Sequence, residues 1–344
     1  MSSQLFYKEG FLDLSGYSLV RADIDERWDN FVHNSPQGTL FSTSIFLSCL
    51  MHNKPGTWYC KKKGEIVAAV CVVESPDGSQ AVEDDLIIYG GILFKKDRPN
   101  QNVAQTMSEH FRISAFLADE LQRLYETVFI NLSPNIEDLR PFLWYNYGND
   151  NPKWQHDLRY TSYHDLSLID PNGPLEKNPI YISASQSRRQ QIKYGIKKGV
   201  ITELSTDVER FLELYKLTFD RQDENAIGLM EETLRTVMFA ILNAGIGVMY
   251  FSYTADGRLG SAAVFAWDNK RAYYLYGAND PTCRDDHTGT MILWQAFLDL
   301  AERGLPSVDM EGVNSPLRGH FKLSFGGHLV PYYHITFLND RIKP

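Results

Sequence analysis

Apolar and polar positions alternate with clear periods in the second half of the chain. Helical spacing gives way to short apolar runs around Asp256-Gly257, which predicts a hairpin turn, and a further helix separates two later strands. The predicted elements, in order, are helices over 208–219 and 234–242, strands over 247–253, 261–267 and 271–276, a helix over 290–301, a strand over 307–310 and a strand pair over 328–337. A meander followed by one crossover helix predicts a mixed sheet, in which the strands flanking that helix are parallel.

The first half repeats this order less regularly. Its predicted elements are helices over 27–31 and 45–51, a hairpin over 57–62 and 65–74, a strand over 85–89, a helix over 103–124 and a strand over 127–132. Short sequences also recur: Tyr89-Gly90-Gly91 and Tyr276-Gly277-Ala278, Ser133-Pro134 and Ser315-Pro316, Leu139-Arg140 and Leu317-Arg318. We therefore predict a tandem duplication of class α/β (α+β). Each domain, 1–169 and 170–344, is a mixed, mainly antiparallel sheet flanked by helices, joined by an irregular connector near 170–179.

Composition narrows the class of protein. The 344 residues exceed what one core usually supports, and a formal charge of −9 argues against a surface that coats nucleic acid. The chain has no apolar run long enough to span a bilayer and no secretory signal, and its four cysteines lack metal-site or disulfide spacing. Its nine histidines show no metal-binding motif, and a nucleotide-triphosphate loop and a Gly-x-Ser-x-Gly elbow are absent from the sequence. We expect a cytoplasmic protein without a metal.

Polar side chains follow the two predicted parallel strands. Tyr276 and Asn279 end one strand, and Asp309 and Glu311 end the next. Ligands bind at the carboxyl ends of such strands, where a tyrosine can protonate a leaving group and a carboxylate can accept an amine proton. The alternative is that Tyr276 is an ordinary half-buried aromatic residue of its strand and that Glu311 is an ordinary solvated acidic residue of a loop.

The start of the crossover helix is a candidate cofactor site. Arg284, Gly289 and Thr290 lie where a glycine and small polar residues leave backbone N–H groups for a phosphate or pyrophosphate. Acids at 285 and 286 would repel phosphate. An ordinary capped helix start is the alternative.

A Leu317–Gly327 segment holds one lysine between two aromatics. Phe321 and Phe325 are one helical turn apart, Lys322 follows Phe321, and Arg318 lies one turn earlier. A lysine fixed beside the sheet edge can stabilise an oxyanion or a donor phosphate. As a surface residue, it would have no such role.

A basic helix precedes these elements. Arg188 and Arg189 begin it, and Arg189, Lys193 and Lys197 form a stripe behind serines that can cap the helix. Five bases within eleven residues, on an acidic chain, suggest an anionic ligand such as a nucleotide-sugar, coenzyme A or a tRNA end. A solvated basic face is the alternative.

Together these motifs resemble the FemAB-like branch of the GNAT superfamily, which contains tandem acyltransferases. The resemblance covers about residues 25–338 and rests on four motifs: Gly38-Thr39-Leu40-Phe41-Ser42 after Trp28, the helix with Arg188-Arg189, Tyr274-Leu275-Tyr276-Gly277, and Asp309-x-Glu311 before Phe321-Lys322-x-x-Phe325.

This resemblance implies an enzyme that forms an amide without a tightly bound cofactor. The implied donor is acyl-CoA or aminoacyl-tRNA, and the implied acceptor is a small or nucleotide-linked amine such as an amino-sugar or cell-envelope precursor. Lys322, Tyr276 and Glu311 are the predicted catalytic residues, with Lys322 stabilising the oxyanion and Tyr276 or Glu311 moving protons. Substrate binding is predicted for Arg188, Arg189, Lys193, Phe321, Arg318 and Asn279. A non-catalytic module that binds a nucleotide-linked anion is the alternative from another class.

Overall fold

The computed structural model describes residues 12–219 and 224–339. They divide into two compact units, one containing residues 12–159 and 331–339 and the other containing Tyr160–Val330. Among the described residues, no helix has both the length and the apolar character needed to cross a bilayer.

The first unit begins with alternating short helices and strands. Its elements are β1 (Tyr17–Arg21), α1 (Glu26–Asn34), α2 (Ser44–Leu47), β2 (Lys54–Lys62), β3 (Glu65–Glu74), β4 (Ala81–Val82), β5 (Gly91–Phe94), α3 (Val103–Leu124), β6 (Thr127–Asn131) and α4 (Arg140–Leu143). Lys63 and Gly64 both have positive φ, as a tight hairpin turn requires, and the predicted hairpin is confirmed. Asn102 and Gln105 form a capping box that starts α3 at the predicted residue.

The predicted strand over 85–89 is wrong. Asp84 accepts hydrogen bonds from the backbone N–H of Leu86 and of Ile87, so this segment turns, and the strand follows as β5. The side chain of Asp84 competes for backbone donors that a strand would need, and an apolar run does not reveal this.

The second unit contains elements that the sequence predicted clearly and others that it did not predict. In chain order they are β7 (Gln155–Asp165), which begins in the first unit, α5 (Pro179–Ser183), α6 (Gln186–Lys197), β8 (Ile201–Ser205), α7 (Val208–Phe219), α8 (Glu224–Asn243), β9 (Gly247–Tyr253), β10 (Leu259–Trp267), β11 (Ala272–Asn279), α9 (Thr288–Glu302), β12 (Ser307–Asp309) and α10 (Pro316–Leu323). Its strand order is β7-β12-β11-β10-β9-β8, with only β11 and β12 parallel. The predicted mixed, mainly antiparallel sheet is confirmed.

Helix α9 covers one face of this sheet and packs against α6. Gly195 of α6 approaches Met291 so closely that a Cβ would lie 2.3 Å from the Met291 Cγ. Ile192, Phe265, Ile292 and Phe297 belong to the buried cluster beneath the two helices. The nearly all-round apolar sequence of α9 therefore reflects burial between the sheet and α6.

The last strand, β13 (His328–Leu338), completes the first unit. It runs antiparallel to β6 and brings Ile335 and Phe337 into the core, so that the order of the first sheet is β1-β2-β3-β4-β6-β13, with β5 paired to β3. The sequence predicted two strands here and assigned them to a second domain beginning at residue 170. One continuous strand forms instead. The boundaries between the two compact units fall between residues 159 and 160 and between residues 330 and 331.

Candidate functional site

Two parallel strands separate at the centre of the candidate site. β11 and β12 are paired only through Ala272 with Val308 and Tyr273 with Asp309. β11 then continues to Asn279, whereas the chain after Asp309 turns through Glu311 (φ 48°) and Gly312 (φ 28°). The gap between them opens at the carboxyl ends of the strands, where open sheets bind ligands.

A β-bulge in β11 separates its two central tyrosines. Val264 pairs with Tyr276 and Phe265 pairs with Tyr274, which leaves Leu275 as the extra residue. Tyr274 stacks on Phe265 at 5.0 Å between ring centroids, so Tyr276 shares the opposite face with Val264. Tyr276 is half-buried there, and its catalytic role stays a prediction.

Helix α10 positions Lys322 across the gap. Its ammonium donates hydrogen bonds to the carbonyl oxygens of Met310 (2.6 Å) and Glu311 (3.0 Å). The same Nζ lies 5.1 Å from the centroid of the Tyr274 ring. Gly319 lets the helix approach this segment, because a Cβ at that position would lie 2.4 Å from the carbonyl oxygen of Val313. Lys322 therefore joins α10 to the chain that leaves β12.

Glu311 is a buried carboxyl group in an unusual setting. It is 5% exposed, and its Oε1 accepts no hydrogen bond from the described part of the chain. Burial and the neighbouring Asp309 raise its pKa well above the ordinary value, and the positive charge of Lys322 opposes them. Burial in turn lowers the pKa of Lys322 to about 8, against the opposing effect of the two carboxylates. A buried carboxyl group beside an open gap is suited to accept a proton from a bound substrate once it is ionised.

Arg188 is a buried cation without a carboxylate partner among the described residues. Its guanidinium packs against two rings, 4.4 Å from the centroid of Phe321 and 4.6 Å from that of Phe325. It donates hydrogen bonds to Ser324 Oγ (2.9 Å), Gln191 Oε1 (2.6 Å) and Thr290 Oγ1. Burial lowers its pKa to about 10, and the residue is 7% exposed. All its partners are neutral, so the site retains a full positive charge for an anionic ligand.

The other predicted basic residues lie apart from this charge. Arg189 donates to the carbonyl oxygens of Ile182 (3.1 Å) and Ala184 (2.9 Å), which fixes the turn before α6. Lys193 is exposed and lies 3.5 Å from a carboxylate oxygen of Glu176. Arg318 is exposed on α10. Its charge opposes the rise that burial causes in the pKa of Tyr274, and it adds to the lowering that burial causes in the pKa of Lys322.

The predicted cofactor loop is closed by its own polar contacts. Asn279 Oδ1 accepts from Ser261 Oγ at 2.8 Å and would lie 2.9 Å from a Cβ at Gly289. Arg284 is exposed in the turn before α9. Thr290, in contrast, reaches Arg188. The structure therefore joins one predicted cofactor residue to the predicted substrate residues, Arg188 and Phe321, while Gly289 and Asn279 pack against each other.

Sequence reasoning missed Gln191 and Ser324. Gln191 Oε1 accepts from both Arg188 and Thr290 (3.0 Å), and Ser324 Oγ bridges Arg188 to the carbonyl oxygen of Phe321 at 2.6 Å. The spacing of Gln191, three residues after Arg188 on one helix, was a usable signal. Among the described residues, no group of three His, Cys, Asp or Glu side chains is placed to hold a metal ion.

Comparisons with known proteins agree with this architecture. Residues 185–322 match the family described as an acetyltransferase (GNAT) domain. A search of curated proteins finds no match. Among solved structures, FemX is similar with a TM-score of 0.60 and 13% identity, covering 94% of this chain and 98% of that one.

Two further solved structures share the fold. A tandem GNAT protein from the clavulanic acid biosynthesis pathway has a TM-score of 0.51 and 13% identity, covering 93% of this chain and 98% of that one. L-PGS from Bacillus licheniformis has a TM-score of 0.50 and 12% identity, covering 94% and 95%. The second unit of this protein therefore carries a GNAT-type acetyltransferase domain. The chain as a whole has the fold of a FemAB-like tandem GNAT protein, and the predicted resemblance is confirmed.

Proposed function

We propose that this protein is an N-acyltransferase that moves an acyl group from a thioester donor to the amine of an amino-sugar or cell-envelope precursor. The observation that carries this proposal is the Lys322–Glu311 pair at the gap between β11 and β12, within residues that match the acetyltransferase domain. One cation and one carboxyl group of raised pKa supply the two charges that amide formation needs.

The proposed reaction is a direct transfer. The amine nitrogen attacks the thioester carbonyl carbon, and Glu311 takes one proton from that nitrogen. The tetrahedral intermediate then collapses as the carbon–sulfur bond breaks. The thiolate that leaves takes from Glu311 the proton that came from the amine. Products are an amide and a free thiol, so atoms and charges balance.

Lys322 and Arg188 have separate proposed roles. Two of the three ammonium N–H groups of Lys322 are held by backbone carbonyls, which leaves one to donate to the developing oxyanion. Arg188 packs against the two phenylalanine rings and would hold an anionic group of a substrate. Holding both reactants beside the gap supplies much of the rate by proximity.

The test is a panel of acyl-CoA donors and amino-sugar acceptors. Release of free thiol and formation of the amide, both followed by mass spectrometry, are the expected result. Matched reactions containing aminoacyl-tRNA identify the donor class, because ribonuclease would abolish only a tRNA-dependent reaction. Binding of substrates without product from any donor would reject the proposal in favour of a non-catalytic binding module.

A further inference from the structure

Asp309, at the end of β12, lies next to the proposed reacting groups and has no role in the proposed transfer. Its side chain is fully buried. Its Oδ1 accepts hydrogen bonds from the backbone N–H of Glu311, at 2.8 Å, and from the hydroxyl of Thr161 on β7. Asp309 pairs with Tyr163 of β7, and Thr161 lies two residues earlier on the same face of that strand. One carboxylate oxygen therefore joins β7 to the turn that carries Glu311.

The hydrogen bond to Glu311 closes a turn with an uncommon backbone conformation. Glu311 has a left-handed φ of 48°, which a residue with a side chain adopts at a cost, and Gly312 follows at 28°. An aspartate oxygen that accepts from the N–H two residues later is a recognised way to hold such a turn. The carbonyl oxygens of Met310 and Glu311 in this turn accept from the ammonium of Lys322. The positions of both reacting side chains thus depend on this turn.

The charge of Asp309 also acts on both reacting groups. It adds to the rise that burial causes in the pKa of Glu311. Burial lowers the pKa of Lys322 to about 8, and the charges of Glu311 and Asp309 oppose that lowering. A negative charge disfavours the ionised form of Glu311 and favours the protonated form of Lys322, so it raises both pKa values. Loss of the charge should therefore lower both of them together.

Other charged and titratable groups lie around Asp309 on the neighbouring elements. They are Tyr163 of β7, Asp268 and Arg271 in the turn before β11, Tyr273 of β11, and Arg318 and Lys322 of α10. Tyr273 donates a hydrogen bond to Asp268 at 2.7 Å, and the guanidinium of Arg271 lies 4.3 Å from the centroid of the Tyr163 ring. Asp309 is the carboxylate of this network whose charge reaches both Glu311 and Lys322.

From this geometry, we infer that Asp309 is a positioning residue, which Thr161 holds in place and which fixes the turn of Glu311 while its charge acts on Glu311 and Lys322 together. The inference deepens the proposed function and rests on it for the roles of the two reacting groups. Asp309 acts through these groups and needs no contact with a substrate.

The variant Asp309→Asn tests the inference through the pH dependence of kcat/KM. Transfer needs ionised Glu311 and protonated Lys322, so the profile has an acidic and a basic limb. The amide of the variant keeps an oxygen that can accept both hydrogen bonds and removes the charge. Both limbs should therefore move to lower pH, each by at least about half a unit.

The control is Asp299→Asn. Asp299 also accepts hydrogen bonds from side chains of the second unit, those of Tyr250 and Arg303. The profile of this variant should stay in place. Acyl transfer by Asp309→Asn with both limbs in place, or with limbs that move in opposite directions, would refute the inference alone.

NMR titration of the Glu311 carboxyl group and the Lys322 ammonium group measures the same two pKa values without a substrate. The signals are assigned with Glu311→Gln and Lys322→Met. In Asp309→Asn, both pKa values should fall. If they fall although the unmodified protein transfers no acyl group from any donor, the proposed function is refuted alone.

A pair of variants at Thr161 keeps the carboxylate and tests its positioning even if Asp309→Asn does not fold. Thr161→Val cannot donate to Asp309, so kcat should fall at least about threefold as Glu311 is held less firmly. Thr161→Ser retains the hydroxyl and should keep the kcat of the unmodified protein. Thermal melting establishes that each variant is folded. A folded Thr161→Val with unchanged kcat would refute the positioning role.

Discussion

At the scale of single residues, adjacent side chains of one type have different surroundings. Arg188 packs against Phe321 and Phe325 and donates hydrogen bonds to neutral side chains, whereas Arg189 donates to two backbone carbonyls before α6. The sequence placed both in a substrate site, because a helix pattern does not distinguish a buried position from the next one. Only the packing of α6 against α9 and α10 makes the distinction.

The pair Arg188→Gln and Arg189→Gln tests this difference. Arg188→Gln removes a charge-assisted contact to an anionic substrate, and we expect kcat/KM to fall about 10- to 100-fold. Arg189→Gln should change kcat/KM less than about threefold, since its contacts stabilise a turn. Steady-state kinetics with one donor–acceptor pair measures both. Equal losses in the two variants would contradict the assignment of the anion site.

The Glu311–Lys322 pair predicts a bell-shaped dependence of kcat/KM on pH. Activity should rise as Glu311 ionises, at a pH well above that of an ordinary carboxyl group, because burial raises its pKa. It should fall as Lys322 loses its proton near pH 8, since burial lowers that pKa to about 8. Glu311→Gln should remove the acidic limb together with most of the activity. An acidic limb that persists in Glu311→Gln would assign it to another group.

At the scale of elements, the approach of α10 to α5 depends on one glycine. Gly326 follows α10 with φ 86°, and a Cβ there would lie 2.4 Å from the carbonyl oxygen of Ser183. Neither the backbone conformation nor the space admits a side chain. This contact holds the segment carrying Phe321, Lys322 and Ser324 against the turn before α6.

Gly326→Ala should lower the free energy of unfolding by about 2–4 kcal/mol, since a clash adds to the cost of positive φ. Gly245→Ala is the matched control: its φ is 68° and nothing lies within 4 Å of its Cβ, so we expect about 1 kcal/mol. Urea denaturation measures both variants. Indistinguishable values would show that α10 adjusts to the clash.

Local periodicity predicted most elements, because their apolar faces repeat along the chain. The helix α3 and the hairpin of β2 and β3 were predicted within a few residues. β7 and β8 were not predicted, since their polar and apolar positions follow partners distant in sequence, and α10 was recognised only through the helical spacing of Phe321 and Phe325. In the site, the sequence assigned Lys322 and Glu311 to catalysis and Arg188 and Phe321 to substrate binding, and the structure brings each pair into contact. The bulge at Leu275, which the sequence did not predict, turned Tyr276 to the other face of β11.

At the scale of the whole molecule, the chain returns at its end to complete the first unit. β13 pairs with β6, and Phe337 packs 5.3 Å from the centroid of Trp154 and 5.8 Å from that of Tyr145. The first compact unit therefore includes residues from both parts of the described chain. Such a return cannot be read from the sequence, because β13 has an ordinary strand pattern and its partner is far away.

Phe337→Ala should destabilise the first unit although the residue lies near the end of the chain. Loss of a fully buried ring costs about 3–5 kcal/mol. Hydrogen exchange followed by mass spectrometry should show faster exchange in β6 and α3, with β9 and β10 nearly unchanged. Faster exchange confined to β9 and β10 would contradict the assignment of β13 to the first unit.

The most direct measurement of the central claim compares kcat of Lys322→Met and Lys193→Met, with an acyl donor and an amine that the unmodified protein joins. Lys193 lies on the surface, and thermal melting would establish that both variants are folded. If the second unit performs acyl transfer at the gap between β11 and β12, Lys322→Met should lose at least about 100-fold in kcat, the scale of one oxyanion donor, and Lys193→Met should lose almost nothing. Equal turnover by the two folded variants would contradict the account.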